Sequence, residues 1–107
     1  MTLPIDDIHA SLYTVGQVSS MLAVQPAYLR RLDGEQLVCP DRSVGGQRRY
    51  SRAEIDRIRH VTELAGEGLT LAGIKRLLAL EAEVAALKAK VKRLEAAAKP
   101  DTAGNPA

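Results

Sequence analysis

Residues 13–33 read YTVGQVSSMLAVQPAYLRRLD, and this stretch decides the fold. Its first half carries apolar residues at the spacing of one helix face: Val15, Val18, Met21 and Leu22. Gln17 lies three residues after Thr14, so the two side chains fit a capping box at a helix N-terminus. The pattern therefore predicts a short first helix that begins after Thr14 and ends near Leu22.

The second half of the stretch predicts another short helix. Pro26 suits the first position of a helix, where its missing N–H does no harm. Leu29 and Leu32 are three residues apart and can face inward together, and Gly34 permits a left-handed cap at the helix end. Because residues 23–25 alone separate the two helices, the stretch predicts a helix-turn-helix.

A basic hairpin is predicted after the two helices. The apolar run 37–39 is expected to form its first strand, segment 40–46 its turn, and residues 47–50, which read QRRY, its second strand. The flanks of this hairpin carry three arginines: Arg42, Arg48 and Arg49. A basic hairpin beside a helix-turn-helix is a wing, which follows the DNA backbone or enters the minor groove while the second helix enters the major groove. The alternative is a surface hairpin whose arginines only aid solubility.

The charge is distributed unevenly along the chain. The 107 residues carry a net charge of +2. Residues 1–29 contain no Lys or Arg, whereas residues 30–59 contain eight basic residues, all of them Arg. The planar guanidinium group matches two phosphate oxygens, so this basic middle favours a nucleic-acid contact. A solvated surface of mixed charge is the alternative.

Two more helices are predicted in the second half of the chain. Ser51 and Glu54 form another capping box, and the helix that they begin stops at the glycine-containing residues 66–68. Thr70 caps the last helix. The sequence leaves open whether that helix continues unbroken to Ala98.

From Leu77 onward, apolar residues alternate in steps of three and four, which is the pattern of a coiled coil. The predicted dimer interface comprises Leu77, Leu80, Val84, Leu87, Val91 and Leu94. The flanking charges leave parallel and antiparallel pairing open. The alternative is one amphipathic helix that folds back on the domain that precedes it. That domain is poor in aromatic residues and offers little apolar surface to receive the helix, which favours a homodimer.

These patterns give a mainly α fold class and divide the chain into four parts. We expect a flexible N-terminal arm at 1–12 and a winged helix-turn-helix domain, with a small β-hairpin wing, at 13–79. A coiled-coil dimerisation helix follows at 80–98, and a disordered tail at 99–107.

Several classes of protein are excluded by composition. No run approaches the roughly 18 apolar residues of a membrane span, and residues 1–10 lack a signal-peptide pattern, so we expect a cytoplasmic protein without a membrane partner. Cys39 is the single cysteine, which excludes an internal disulfide and a multi-cysteine zinc site, and we expect it to be a small packing residue. Neither His9 nor His60 belongs to a catalytic or metal-ligand motif in the sequence, so we expect no catalytic residue, no metal and no cofactor.

The order of these parts resembles the MerR family of bacterial transcription regulators. Residues 13–18 resemble the family opening Y-T-I-G-E-L, and residues 46–51, GQRRYS, resemble its wing motif G-x-R-x-Y-S. Residues 69–78, LTLAGIKRLL, resemble its L-x-x-I-K-x-L-L helix. Within the family, residues 71–76 and the Gly45-Gly46 pair look most like the heat-shock repressor subgroup, HspR.

This resemblance implies that the second helix and the wing bind double-stranded DNA. Gln25, Tyr28 and Arg31 lie toward the start and outer face of the second helix, so we expect them to touch base edges. Arg30 resembles the family arginine that meets the DNA backbone. The remaining expected DNA-binding residues are Thr14, Arg42, Gln47, Arg48, Arg49 and Tyr50, with the wing residues holding phosphates.

The second helix also departs from the family pattern. Arg31 and Leu32 stand in place of two tyrosines, Tyr28 in place of a small or polar residue, and Gln36 in place of a glycine. The preferred DNA site is therefore not carried over from the family. The coil lacks the cysteines of metal-sensing members, and no effector domain follows it in this sequence. We therefore expect regulation through a protein co-regulator, through abundance, or no regulation of the protein at all.

Together these features predict a nucleoid-associated homodimer that regulates transcription, as a repressor, at inverted-repeat promoter sites. A protein-binding adaptor and an architectural or excisionase-like DNA binder are the alternatives. An enzyme is not expected.

Overall fold

A computed structural model describes residues 3–98 of the chain. A single 3₁₀ turn, Pro4–Asp6, precedes the main elements. The α-helices of this part are α1 (Val15–Leu22), α2 (Pro26–Gly34), α3 (Arg52–Gly66) and α4 (Leu71–Ala98). The strands are β1 (Tyr13–Thr14), β2 (Asp41–Arg42) and β3 (Arg48–Tyr50). The mainly helical fold class with a small hairpin is confirmed.

The three strands form one antiparallel sheet in the order β1-β3-β2. Tyr13 pairs with Tyr50, and on the other side of β3 Arg42 pairs with Arg48. We call the β2–β3 hairpin, residues 41–50, the wing. Strand β1 was not predicted, because two residues are too short to show the alternation by which a strand is recognised.

The apolar run 37–39 is not a strand, contrary to the sequence prediction. The backbone N–H groups of Leu37 and Val38 both donate to the carbonyl of Leu32, at 2.9 and 3.4 Å, and so satisfy the C-terminal end of α2. Leu37 and Val38 are buried, whereas Cys39 is exposed and is not the packing residue that we expected.

The end of α2 also differs from the prediction. Gly34 remains helical, and the left-handed residue is Gln36, with φ of 59°. The chain therefore adopts a glycine-like conformation two residues later than predicted. Asparagine and aspartate enter this region most readily among non-glycine residues, so a glutamine carries a steric cost here.

The predicted helix caps are confirmed. The Thr14 hydroxyl accepts from the backbone N–H of Gln17 at 3.1 Å, and the Gln17 side chain accepts from the backbone N–H of Thr14 at 2.8 Å. Ser51 and Glu54 form the same reciprocal pair at the start of α3. These boxes fix where α1 and α3 begin, and hence where each leaves the sheet.

The core lies between the sheet and the first three helices, with a contribution from the start of α4. Its fully buried side chains are Val18, Leu29, Leu32, Leu37, Tyr50, Ile58, Val61 and Ile74. Burial of an aliphatic side chain contributes roughly 1.5–3 kcal/mol, so this set holds α1 and α2 in a fixed relation to the wing.

Hydrogen bonds join residues 3–12 to the domain that follows them. The backbone N–H of Ala53 donates to the carbonyl of Ile8 at 3.0 Å, and the Ser11 hydroxyl donates to the Asp41 carboxylate at 2.8 Å. Within the expected arm, Ile8 thus contacts α3 and Ser11 contacts β2.

The chain divides into two compact units, with the boundary between Ile74 and Lys75 inside α4. The expected boundary was at residues 79 and 80. Helix α4 itself is unbroken from Leu71 to Ala98, which answers the question that the sequence left open. The predicted disordered tail at 99–107 lies outside the described residues. Within residues 3–98, no helix combines the length and apolar character that crossing a membrane requires.

Candidate nucleic-acid interface

The tight turn between α1 and α2 fixes the direction of α2. Ala23 adopts a left-handed conformation, with φ of 55°, and the backbone N–H of Val24 donates to the carbonyl of Ser19 at 3.1 Å. The Ser19 hydroxyl donates back to the carbonyl of Val24. Leu29 and Leu32 are buried on one side of α2, so its other side is turned to solvent.

Three polar side chains expected to bind DNA are exposed on α2 or at its N-cap. Arg30 and Arg31 are both exposed. Gln25, the N-cap residue of α2, is exposed as well, and its side chain makes no capping hydrogen bond. An amide at the N-cap and two guanidinium groups on the nine-residue helix are therefore exposed, and each can donate to a base edge or a phosphate.

Tyr28, also expected to touch a base edge, is half-buried and contacts α3. Its hydroxyl lies 3.1 Å from the Thr62 hydroxyl on α3. The single hydroxyl hydrogen of Thr62 is donated to the carbonyl of Ile58 at 2.8 Å, so Tyr28 is the donor in the pair. Tyr28 thus links α2 to α3 through its hydroxyl, and its expected contact with a base edge stays a prediction.

The wing presents basic and polar side chains around a glycine turn. Gly46 has φ of 82°, and its N–H donates to the carbonyl of Ser43 at 2.8 Å. Gln47 is exposed, and Arg49 is half-buried with its guanidinium donating to the carbonyl of Arg48 at 3.2 Å. The turn requires a left-handed residue at position 46, which explains the glycine two residues before Arg48.

Two wing arginines share one carboxylate on α2. The Arg48 Nε lies 2.7 Å from the Asp33 Oδ2, and the Arg42 Nη2 lies 3.4 Å from the same oxygen. The side chains of Asp33 and Arg48 are about one fifth exposed, whereas that of Arg42 is 51% exposed. Asp33 was not among the predicted site residues. Its sequence signal is an acidic residue in the last turn of a helix, where the helix dipole disfavours negative charge.

Tyr50 belongs to the core and not to the DNA-facing surface. It is 1% exposed, and its hydroxyl has no hydrogen-bond partner among residues 3–98. Burial raises the pKa of the Tyr50 hydroxyl, the nearby carboxylates of Asp33 and Glu54 raise it further, and Arg48 and Arg42 lower it. A buried ring cannot hold a phosphate, so this placement does not suit the contact that we expected.

Over the described part of the chain, no three His, Cys, Asp or Glu side chains come together as a metal site.

Along the second unit, the expected dimer seam presents apolar side chains to solvent. The exposed members are Leu80, Val84, Leu87, Val91 and Leu94, each between 47% and 57% exposed, and Leu77 is half-buried.

Comparisons with known proteins agree with this architecture. A family model described as the MerR HTH family regulatory protein matches residues 13–81. A putative heat shock protein HspR of Streptomyces coelicolor is 41% identical over 87 residues, which cover 80% of this chain and 58% of that protein.

More distant relatives share the same region. The HTH-type transcriptional regulator GlnR of Bacillus anthracis is 30% identical, with 76% of this chain and 64% of that protein covered. The HTH-type transcriptional regulator MlrA of Escherichia coli is 35% identical, with 66% and 30% covered. The chain thus spans about 60% of the length of the first two relatives.

A solved structure has the same fold. It is described as HiNmlR, a MerR family regulator lacking the sensor domain, bound to promoter DNA. The match has a TM-score of 0.57 at 21% identity and covers 78% of this chain and 75% of that one. The family match over most of the chain, the 41% identical relative and the shared winged fold lead to one conclusion: this chain belongs to the MerR helix-turn-helix family of regulatory proteins.

Proposed function

We propose that this chain is a homodimeric regulator of transcription that binds double-stranded DNA in a sequence-specific way. The observation that carries the proposal is the exposure of Gln25, at the N-cap of α2, and of Arg30 and Arg31 within α2, beside a wing that carries further arginines. A protein with the same fold is described as bound to promoter DNA, which supports the proposal of DNA binding for this chain. Membership of a family of regulatory proteins confirms the expectation that the chain is not an enzyme.

Each part of the interface has a proposed task. Helix α2 enters the major groove, where Gln25 and Arg31 reach base edges and Arg30 meets the backbone. In the wing, Arg42, Gln47 and Arg49 contact flanking phosphates, while Arg48 supports them through its ion pair with Asp33. Base contacts set the sequence preference, and phosphate contacts set register and affinity.

Thr14 is proposed to contact a phosphate at the start of α1. Its hydroxyl oxygen accepts from the Gln17 N–H, which leaves the hydroxyl hydrogen to be donated outward. The positive end of the helix dipole favours an anion at the same place.

Dimerisation is proposed to bury the apolar seam of α4. A single helix whose apolar residues all face water is marginal in isolation, because helices gain most of their stability from packing an apolar face. Five seam residues are about half exposed, so a second copy of the chain would cover them by coiled-coil pairing. The two identical DNA-binding domains of such a dimer would then match the two halves of an inverted repeat.

We also propose that the protein represses transcription. We expect it to act in the cytoplasm, in association with the nucleoid. The support is the resemblance to the heat-shock repressor subgroup and the 41% identity to a protein named HspR. A protein co-regulator is proposed as a further partner.

Recovery of bound fragments from sheared host DNA tests this function. Purified protein is mixed with the DNA at physiological salt, and the bound fragments are sequenced. We expect discrete peaks that share an inverted repeat, and we expect the double variant Gln25→Ala, Arg31→Ala to lose them. Arg93→Ala, which removes one positive charge from an exposed position of α4, serves as the control and retains the peaks.

Each other result points to a different function. Uniform recovery without peaks contradicts sequence-specific regulation and favours an architectural DNA binder. The absence of any recovery contradicts DNA binding and favours a protein-binding adaptor.

A further inference from the structure

The wing contains two positive charges directly opposite each other. Arg42 of β2 and Arg48 of β3 are partners in the antiparallel register. Side chains of directly opposed residues lie on the same face of a sheet, and like charges in such a pair destabilise it. A hairpin with a two-residue strand on one side has few other contacts to offset that repulsion.

A single carboxylate from α2 offsets this repulsion. The Asp33 Oδ2 accepts from the Arg48 Nε at 2.7 Å and from the Arg42 Nη2 at 3.4 Å. Arg42 also donates to the carbonyl of Gly46 at 3.3 Å, which ties the same side chain to the turn. We call the three side chains Asp33, Arg42 and Arg48 the clamp.

The position of Asp33 along its helix shows that the carboxylate is held by the arginines rather than by the helix. Asp33 lies in the last turn of α2, where the partial negative charge of the helix end disfavours an acid. Its side chain is only 20% exposed, so water compensates it incompletely. The two guanidinium groups supply the compensation that the helix does not.

We infer that Asp33 is a positioning residue for DNA recognition. Through the clamp it fixes the angle between α2 and the wing, and so it sets how strongly the protein discriminates its own site from other DNA. This inference rests on the proposed function, because it assigns a role within that same interface. The carboxylate itself would be repelled by DNA phosphates, so its contribution is geometric.

The two arginines of the clamp then have different tasks. The side chain of Arg48 is 21% exposed and makes the shorter contact with Asp33, so it holds the wing against α2. Arg42 is 51% exposed and makes the longer contact, so its guanidinium can reach a phosphate while Arg48 maintains the angle. A lysine at position 48 would keep the charge but lose the Nε–H contact and the planar fork.

Discrimination is measured as the ratio of the dissociation constants for nonspecific and specific DNA. The specific duplex carries the inverted repeat recovered from genomic DNA, and the nonspecific duplex has the same length and composition with a scrambled order. For Asp33→Asn we expect this ratio to fall about fivefold or more, with nonspecific binding equal or tighter, since one negative charge is lost and two arginines are released. Asp33→Glu keeps the carboxylate and is expected to retain most of the ratio.

Two further variants separate geometry from charge. Asp56→Asn also removes one negative charge, but from an exposed position of α3 outside the clamp and the wing, so we expect its ratio to stay at the wild-type value. Arg48→Lys leaves the net charge unchanged, and we expect its ratio to fall as it does for Asp33→Asn. An unchanged ratio in Asp33→Asn, including one in which specific and nonspecific affinity rise equally, overturns the positioning role.

A measurement without DNA tests the clamp by itself. The free energy of unfolding in urea is compared for wild type, Asp33→Asn, Arg48→Gln and the double variant, and a favourable coupling between positions 33 and 48 is expected. A coupling of zero overturns the clamp. If the wild-type protein binds neither duplex, the proposed function fails, while this cycle still decides whether the clamp exists.

Discussion

Tyr50 places a polar hydroxyl inside the core, where no hydrogen-bond partner is found among residues 3–98. A buried polar group without a partner loses its hydration and gains nothing in return. We therefore expect Tyr50→Phe to leave the free energy of unfolding unchanged or to raise it by up to about 1 kcal/mol. Urea unfolding at pH 7 measures this, and a loss of about 1 kcal/mol or more would show that the hydroxyl is hydrogen-bonded.

The same hydroxyl makes a prediction at high pH. Burial raises the pKa of Tyr50 from its usual value of 10.0. The unfolded chain then loses the proton first, so the stability of the native state is fully present below pH 10 and declines as pH rises toward the higher native pKa. Tyr50→Phe should remove this part of the decline, whereas Tyr13 and Tyr28 remain in both proteins as an internal control. Parallel stability curves for the two proteins above pH 10 would contradict the prediction.

Arg30 and Arg31 are neighbours on the exposed side of α2, and we expect their removal to affect DNA binding in different ways. Arg31→Ala should relax the preference at one base pair, at a cost of about 1–3 kcal/mol on the specific site. Arg30→Ala should weaken binding to all sequences alike and reduce the salt dependence by about one unit of slope. Binding to a library of single-base variants at several salt concentrations separates the two, and identical profiles for both variants would contradict the assignment.

At the scale of the elements, the capping boxes determine where the helices begin. Ser51 is buried, and its hydroxyl accepts from the Glu54 N–H at 3.1 Å at the start of α3. We expect Ser51→Ala to lower the free energy of unfolding by about 0.5–2 kcal/mol. Ser20→Ala removes the same atom from an exposed position inside α1 and is expected to be neutral or slightly stabilising. Equal effects of the two substitutions would show that the cap contributes little.

The elements also show which parts of the fold can be predicted from sequence. Helix starts at Thr14, Ser51 and Thr70 were predicted correctly, because a cap is a local interaction between residues three apart. The run 37–39 was assigned to a strand in error, since its backbone pairs with the end of α2, a choice that composition does not reveal. Strand β1 was missed because its partner, β3, lies more than thirty residues away.

The candidate site was predicted in part for a related reason. Residue type placed Arg30, Arg31, Tyr28 and Tyr50 in one group, but only the fold shows which side chains face solvent. Tyr50 is buried and Tyr28 donates to Thr62, whereas both arginines are exposed. Asp33 was missed because its partners lie 9 and 15 residues further along the chain.

At the scale of the whole molecule, the proposed dimer depends on the seam of α4. Leu87 lies near the middle of the seam and is 54% exposed in the single chain, so a lysine there leaves the fold of one copy intact but places a charge in the interface. We expect Leu87→Lys to be monomeric in sedimentation velocity and to bind its specific site far more weakly. Ala89→Lys adds the same charge at an exposed position outside the seam and should remain dimeric. A stable Leu87→Lys dimer would place the interface elsewhere.

The exposed position of Cys39 has a practical consequence. It is the single cysteine of the chain, and it lies between α2 and β2, six residues beyond Asp33. A thiol-reactive fluorophore therefore labels one known position in each copy without any substitution. Cys39 lies in the segment that connects α2 to the wing, and both are proposed to bind DNA. The emission of the dye would therefore report on changes in the surroundings of this segment while the protein moves along a duplex.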